Sequence, residues 1–189
     1  RQLLSHRAGV FDIVNQPIPE GLPLPYTGMR YLEWRGTKDP FHSFTKDELI
    51  GVVAAAKVSN SAPGAAYRYS DTHYGILGKI VEQVSGVPLD QFKDRELLQP
   101  NGLTQTHFVV DGHETTLPAP AIAGFSLEKG KATEQDDYNY SYDQGSGNVF
   151  TTPANLTRWI HGLVMGESGV TKQQVARMTE VWPDSHYGL

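Results

Sequence analysis

Tyr67-Arg68-Tyr69-Ser70-Asp71-Thr72-His73-Tyr74-Gly75-Ile76-Leu77-Gly78-Lys79-Ile80-Val81-Glu82-Gln83-Val84-Ser85-Gly86 is the most informative stretch of this 189-residue chain. Its aromatic and polar opening gives way at Asp71 to apolar residues at helical spacing. Tyr74, Ile76, Leu77, Ile80, Val81 and Val84 cover more than half of a helix circumference, which predicts a helix buried on several sides. Asp71 is placed to cap that helix through its carboxylate, and Gly86 to close it.

Working upstream, Ser61-Ala62-Pro63-Gly64 is a turn. Before it, Thr45 with Glu48 three residues on is a capping-box pattern, and Leu49, Val52, Val53 and Ala56 follow at helical spacing, predicting a helix over 46–58. Residues 16–26 carry four prolines, which remove donors and fix φ, so this segment is expected as a loop over the surface. Downstream, Pro88 suits the start of a helix over 89–98 that Pro100-Asn101-Gly102 ends. Residues 106–110 and 121–127 have the composition of short strands, the second turning at 128–131, and 134–142 is an acidic, tyrosine-rich loop. Thr152-Pro153 then opens a helix with the stripe Leu156, Trp159, Ile160, Leu163 and Val164 before Gly166, and Thr171 with Gln174 opens a shorter one.

Composition narrows the chemistry. With 39% hydrophobic residues, the chain has enough apolar side chains for a packed core. Its net charge of -5 and lack of a basic cluster argue against nucleic acid as a partner. No apolar run approaches the ~20 residues of a membrane span. Without cysteine, neither disulfide nor thiolate chemistry is possible. His113-Glu114-Thr115-Thr116-Leu117 has Leu where a zinc-binding helix needs its second histidine, so neither metal nor cofactor is expected. Gly145-Ser146-Gly147 lacks the full spacing of a nucleophile elbow; its glycines are expected to allow a tight backbone path. Arg1-Gln2-Leu3-Leu4-Ser5-His6 reads as the last turn of a helix, and the chain as a piece of a longer protein.

Four segments in order carry a resemblance. Tyr67 to Gly86 resembles a Tyr-Ser-Asn-Thr-Asn-Tyr motif leading into a buried helix. Leu3-Leu4-Ser5-His6-Arg7-Ala8-Gly9-Val10 is similar to Leu-Leu-Ser-His-Thr-Ser-Gly-Ile, and Pro100-Asn101-Gly102-Leu103-Thr104-Gln105-Thr106 to Pro-Leu-Gly-Met-x-x-Thr. Gly145 to Thr152, followed by Asn155-Leu156-Thr157-Arg158-Trp159, resembles Gly-Gly-Leu-x-Ser-Thr-x-x-Asp-Leu-x-Arg-Trp. All four resemble motifs of the serine β-lactamase and D-alanyl-D-alanine carboxypeptidase superfamily (class C β-lactamase-related, penicillin-binding-protein-like serine hydrolases), the best match being with the carboxypeptidase and esterase branch that includes class C β-lactamases and D-aminopeptidases.

The resemblance implies an α+β, β-lactamase/transpeptidase-like fold, this chain being mainly its helical region, with small β elements and without most of the central antiparallel sheet. It implies a serine hydrolase working through an acyl-enzyme on a D-amino-acid peptide, an amide or an ester, outside the cytoplasm. The Ser-x-x-Lys nucleophile motif is expected before residue 1 and the final sheet motif after residue 189, leaving residues 1–189 a single fragment, inactive alone. Ser43-Phe44-Thr45-Lys46 and Ser126-Leu127-Glu128-Lys129 fit the letters, but the first lies across a helix boundary and the second in a hairpin. His73-Tyr74-Gly75 and His186-Tyr187-Gly188 likewise fit the letters of a His-x-Gly motif without its setting.

By resemblance, Tyr69 is the catalytic proton-transfer tyrosine and Asp71 a substrate contact. The family usually has Asn at the second position; an ionised Asp only accepts hydrogen bonds and opposes phenolate formation nearby. A helix cap is the plain alternative for Asp71, and a non-catalytic binding or interaction module the alternative for the protein. His6 and Arg158 are expected in structural roles, the first bonding nearby backbone and the second pairing with a carboxylate.

Overall fold

A computed structural model describes residues 1–116, 119–134, 139–185 and 187–188. Among these residues six α-helices run in chain order: α1 Tyr31–Gly36, α2 Lys46–Ala56, α3 Asp71–Ser85, α4 Leu89–Lys93, α5 Pro153–Met165 and α6 Lys172–Met178. The β structure of the described residues is two antiparallel pairs: β1 His107–Phe108 with β4 Val149–Phe150, and β2 Phe125–Glu128 with β3 Lys131–Glu134. The expected mixture of helices and small β elements is what the described residues contain.

Local signals set most helix ends. Thr45 Oγ1 accepts from the Glu48 amide at 3.1 Å, but Glu48 does not reach back to complete the box. Its carboxylate takes the Tyr31 hydroxyl at 2.7 Å and His42 instead, tying α1 to α2. Lys57, in the left-handed region, ends α2 just short of the expected boundary. Thr171 and Gln174 form a complete box at α6. Residues 89–98 are helical as expected, with a change to π geometry over Asp94–Leu98. The predicted strands are shorter than expected, and 135–138 of the acidic loop lie outside the described residues, as does His186.

The core is built around the N-terminal third. Phe11, Ile13, Val14, Ile18, Tyr26, Tyr31 and Phe44 pack with Leu49, Val52, Val53 and Ala56 of α2. The proline-rich segment is a loop, but it does more than cover the surface: Ile18 is fully buried and Tyr26 nearly so. Trp34 of α1, which no sequence signal had marked as helical, stacks on Tyr31.

Two helices depart from expectation in what they bury. On α3 the buried residues are Thr72, His73 and Gly78, while Ile80 and Val84 are exposed. Gly78 sits closely where α2, α3 and α4 meet, since a Cβ there would lie 2.8 Å from Leu89 Cδ2 and 3.0 Å from Lys46 Cδ and would have to displace those side chains. On α5 the stripe of Leu156, Ile160 and Val164 faces outward; the buried residue is Asn155, whose Oδ1 accepts from the Gln105 amide at 2.9 Å. Helical spacing identifies an apolar face without saying which surface covers it.

Candidate active site

The opening of α3 is held by polar side chains rather than by apolar packing. Ser70 Oγ donates to the Phe11 carbonyl at 3.3 Å. The Ile13 amide donates to Thr72 Oγ1 at 3.1 Å, and the Val10 amide to His73 Nε2 at 3.2 Å. Ser70, Thr72 and His73 are all buried. Residues 10–13, which enter no ladder beyond the Val10–Ser59 bridge, thereby place their backbone groups on α3.

This anchoring leaves Tyr69 at the surface, 48% exposed, with its ring against His6 at a centroid distance of 4.4 Å. Its hydroxyl donates to Asp71 Oδ1 at 2.7 Å. Asn15 Nδ2 donates to the other oxygen of Asp71 at 2.7 Å and to Asp12 Oδ2 at 2.9 Å, so one amide bridges two carboxylates. Asp71 therefore does not cap α3. Ser70 holds the N-cap position without a side-chain cap bond, and Asp71 is the first helical residue, its carboxylate turned to Tyr69 and Asn15.

The electrostatics keep Tyr69 protonated. Partial burial pushes its hydroxyl well above the usual phenol range, and the Asp71 hydrogen bond and charge, then Asp12 and Asp143, push the same way. Burial also raises the Asp12 and Asp143 carboxyls; the Asn15 amide opposes this at Asp12, and the Ser146 hydroxyl at Asp143. Lys46 sits nearby, committed to Glu82 Oε1 at 3.0 Å and Gln144 Oε1 at 3.0 Å. Burial and then the Lys46 charge push Lys93, which lies over the Phe108 ring, down to about 8. Asp71, Thr72, Lys46, Gln144 and Ser146 edge a cavity of about 10 Å³, which is room for one water.

Gly145 has φ +106°, and a Cβ there would lie 2.6 Å from the Tyr74 carbonyl oxygen, so the loop presses on α3 beside this cavity. Gly147 serves by close approach to the Asp143 carboxylate rather than by positive φ. Sequence reasoning placed Tyr69 and Asp71 together but missed Asn15, Asp12 and His73. No sequence signal pointed to the first two; His73 stands where the motif has its second Asn, which was a visible departure.

The other candidates are placed elsewhere. Ser43 Oγ donates to Asp111 Oδ1 at 3.1 Å, while Lys46 turns to Glu82 and Gln144, so the pair shares no partner. Ser126 lies in β2 and Lys129 in its turn. His6 Nδ1 accepts from the Ser70 amide at 3.2 Å, the backbone role expected of it. Arg158 bonds the Gly102 carbonyl at 3.4 Å instead of a carboxylate. Among the described residues no cluster of His, Asp and Glu has the arrangement of a metal site, and no helix is long and apolar enough to cross a membrane.

The family model for Beta-lactamase matches residues 1–187. A Bacillus subtilis (strain 168) protein named as a penicillin-binding protein, PbpX, is 24% identical over 147 residues, which are 78% of this chain and 36% of that protein. Among solved structures, the D-stereospecific amidohydrolase from Streptomyces sp. matches with a TM-score of 0.80 at 22% identity, over 100% of this chain and 54% of that one. The D-amino acid amidase from Ochrobactrum anthropi SV3 matches at 0.66 and 18% identity, over 94% and 46%. These likenesses give the β-lactamase/transpeptidase-like fold. The chain spans about half of each solved structure and about a third of the Bacillus protein.

Proposed function

From the premise that this chain belongs to the Beta-lactamase family, we propose that it is part of a serine hydrolase acting through an acyl-enzyme on a D-amino-acid amide, peptide or ester. The observation that carries this reading is Tyr69, half exposed at the head of α3 with its hydroxyl held on Asp71, in the family's tyrosine-motif position. The names of the Streptomyces and Ochrobactrum structures support the D-amino-acid class. The nucleophilic serine and its lysine come from the Ser-x-x-Lys motif ahead of residue 1, and the final sheet motif follows residue 189.

In this reading a serine attacks the scissile carbonyl, the acyl-enzyme forms, the leaving group takes a proton, and water releases the acyl group. Tyr69 moves protons in these steps. Burial, and then the surrounding carboxylates, hold the phenol protonated, so donation to the leaving group is the step it is best prepared for. Taking the serine's proton requires a cationic lysine close enough to offset Asp71 and Asp12, and Lys46 is occupied by Glu82. Asp71 is the substrate contact. As an acceptor only, it disfavours a substrate with a free carboxylate beside the scissile bond and suits an amide or ester. The 10 Å³ cavity beside Asp71 is too small for an amino-acid residue; in this reading further parts of the parent protein complete the pocket, and the 189-residue chain alone is expected to be inactive. An extracytoplasmic location fits the penicillin-binding-protein likeness.

The test uses the intact gene product. A fluorophosphonate should label it, labelling should vanish when the upstream serine is replaced by Ala, and a D-amino-acid amide or ester should be hydrolysed. Tyr69→Phe should then lower turnover roughly 10²-fold or more with labelling still detectable. Full turnover in Tyr69→Phe removes Tyr69 from the mechanism; no labelling and no hydrolysis favours a binding module that kept the fold.

A further inference from the structure

Beneath Tyr69 two imidazoles meet, and their hydrogen bonds fix where every proton sits. His73 Nε2 receives the Val10 amide, so the His73 proton is on Nδ1. That nitrogen lies 3.3 Å from His6 Nδ1, which also receives the Ser70 amide. His6 Nδ1 is thus an acceptor twice over, and the His6 proton is on Nε2, an atom that is buried and has no partner among the described residues. Both rings are neutral, and both are sealed from solvent.

A proton added to this pair has no acceptor. On His73 it would take Nε2 and face the Val10 N–H; on His6 it would take Nδ1 and face both the Ser70 N–H and the His73 N–H. Either event breaks hydrogen bonds that hold residues 10–13 and the start of α3, and the second also frees the peptide directly after Tyr69. The His6 ring is, besides, the surface on which the Tyr69 ring lies.

We propose that His6 and His73 form a neutral imidazole latch that positions Tyr69, and that proton uptake by the pair in acidic solution releases the Tyr69–Asp71 arrangement. The groups facing it are Asp12 and Asp71, whose charges favour a proton on His6, and the phenol rings of Tyr67, Tyr69, Tyr74 and Tyr187. The Arg7 guanidinium next in sequence is engaged by Asp184. Burial outweighs the two carboxylates: it lowers His6 below the ordinary imidazole value, and it takes His73 to about 4, with the His6 neighbour adding to the shift. The latch rests on its own geometry; only its consequence for turnover rests on the role assigned to Tyr69 above.

Nitrogen-15 NMR of histidine-labelled chain, titrated from neutral to acid pH, tests it without any turnover assay. At neutral pH His73 should give the Nδ1–H tautomer and His6 the Nε2–H tautomer. His73 should titrate at about 4, and His6 below the ordinary imidazole value. The Tyr69 ring signals, identified by their loss in Tyr69→Phe, should move in step with that uptake while the Ile13 and Ile18 methyl signals stay folded. His6→Asn, which keeps an acceptor for the Ser70 amide, should remove the His6-linked part of the Tyr69 movement; if it does not fold, the wild-type titration decides. The opposite tautomers, an ordinary titration of either ring, Tyr69 signals that stay still during uptake, or Ile13 and Ile18 signals lost at the same midpoint would each overturn the latch.

Discussion

Replacing Asp71 by Asn removes one charge from the contact that holds Tyr69 and leaves an acceptor in place for its hydroxyl. The sign is set by the structure: Asp71 accepts the phenol proton at 2.7 Å and its charge opposes phenolate, so Asp71→Asn should make Tyr69 more acidic. Two unit charges about 4 Å apart interact by ~4 kcal/mol at an effective dielectric of ~20 and ~1 kcal/mol in water. Tyr69 is 48% exposed, which puts the pair toward the aqueous end. A change of about 1–1.5 kcal/mol corresponds to a fall of roughly one pKa unit. Burial, the largest cause of the upward shift, is untouched, so the hydroxyl should remain above the free-phenol value. Carbon-13 NMR of the tyrosine ζ-carbons in alkaline titration reads this directly, with Tyr69→Phe giving the assignment. A Tyr69 midpoint in Asp71→Asn equal to or above wild type would refute the electrostatic account of the site.

Three further expectations concern stability and are read from urea midpoints. Thr72→Val keeps the shape but removes the acceptor of the buried Ile13 amide, and should cost about 1–3 kcal/mol; a loss below a few tenths would mean that amide finds another partner. Gly145→Ala combines φ +106° with a methyl 2.6 Å from the Tyr74 carbonyl oxygen, and should cost at least ~1–3 kcal/mol; a neutral result would show that the loop moves freely off α3. Ile160→Lys on the open face of α5 should change the stability of this chain by no more than about 0.5 kcal/mol; a loss of several times that would mean the face is covered.

Where the signal and its effect lie a few residues apart, the sequence was readable. Thr45, Thr152 and Thr171 each receive the amide three positions on, and Gly86 and Gly166 take the left-handed geometry that closes α3 and α5. The four ordered segments likewise pointed to the family that the match over residues 1–187 establishes. Short β elements were placed near 107 and 125 but overextended, because a strand's length is set by its partner.

Long-range partners were not readable. Glu48 had the right spacing for a reciprocal cap, yet its carboxylate bonds Tyr31 and His42 instead. Asp71 had the right chemistry for a cap, yet Tyr69 and Asn15 claim it, and Asn15 lies 56 residues away along the chain. The α5 stripe had helical periodicity, but periodicity is a property of one segment and burial a property of two. His6 and His73, 67 residues apart, acquire their tautomers only when Val10 and Ser70 arrive with their amides. Caps, turns and helix periods follow from neighbouring residues and could be read along the chain. Which carboxylate meets which phenol, and which imidazole carries which proton, depends on groups that only the folded chain brings within hydrogen-bond reach.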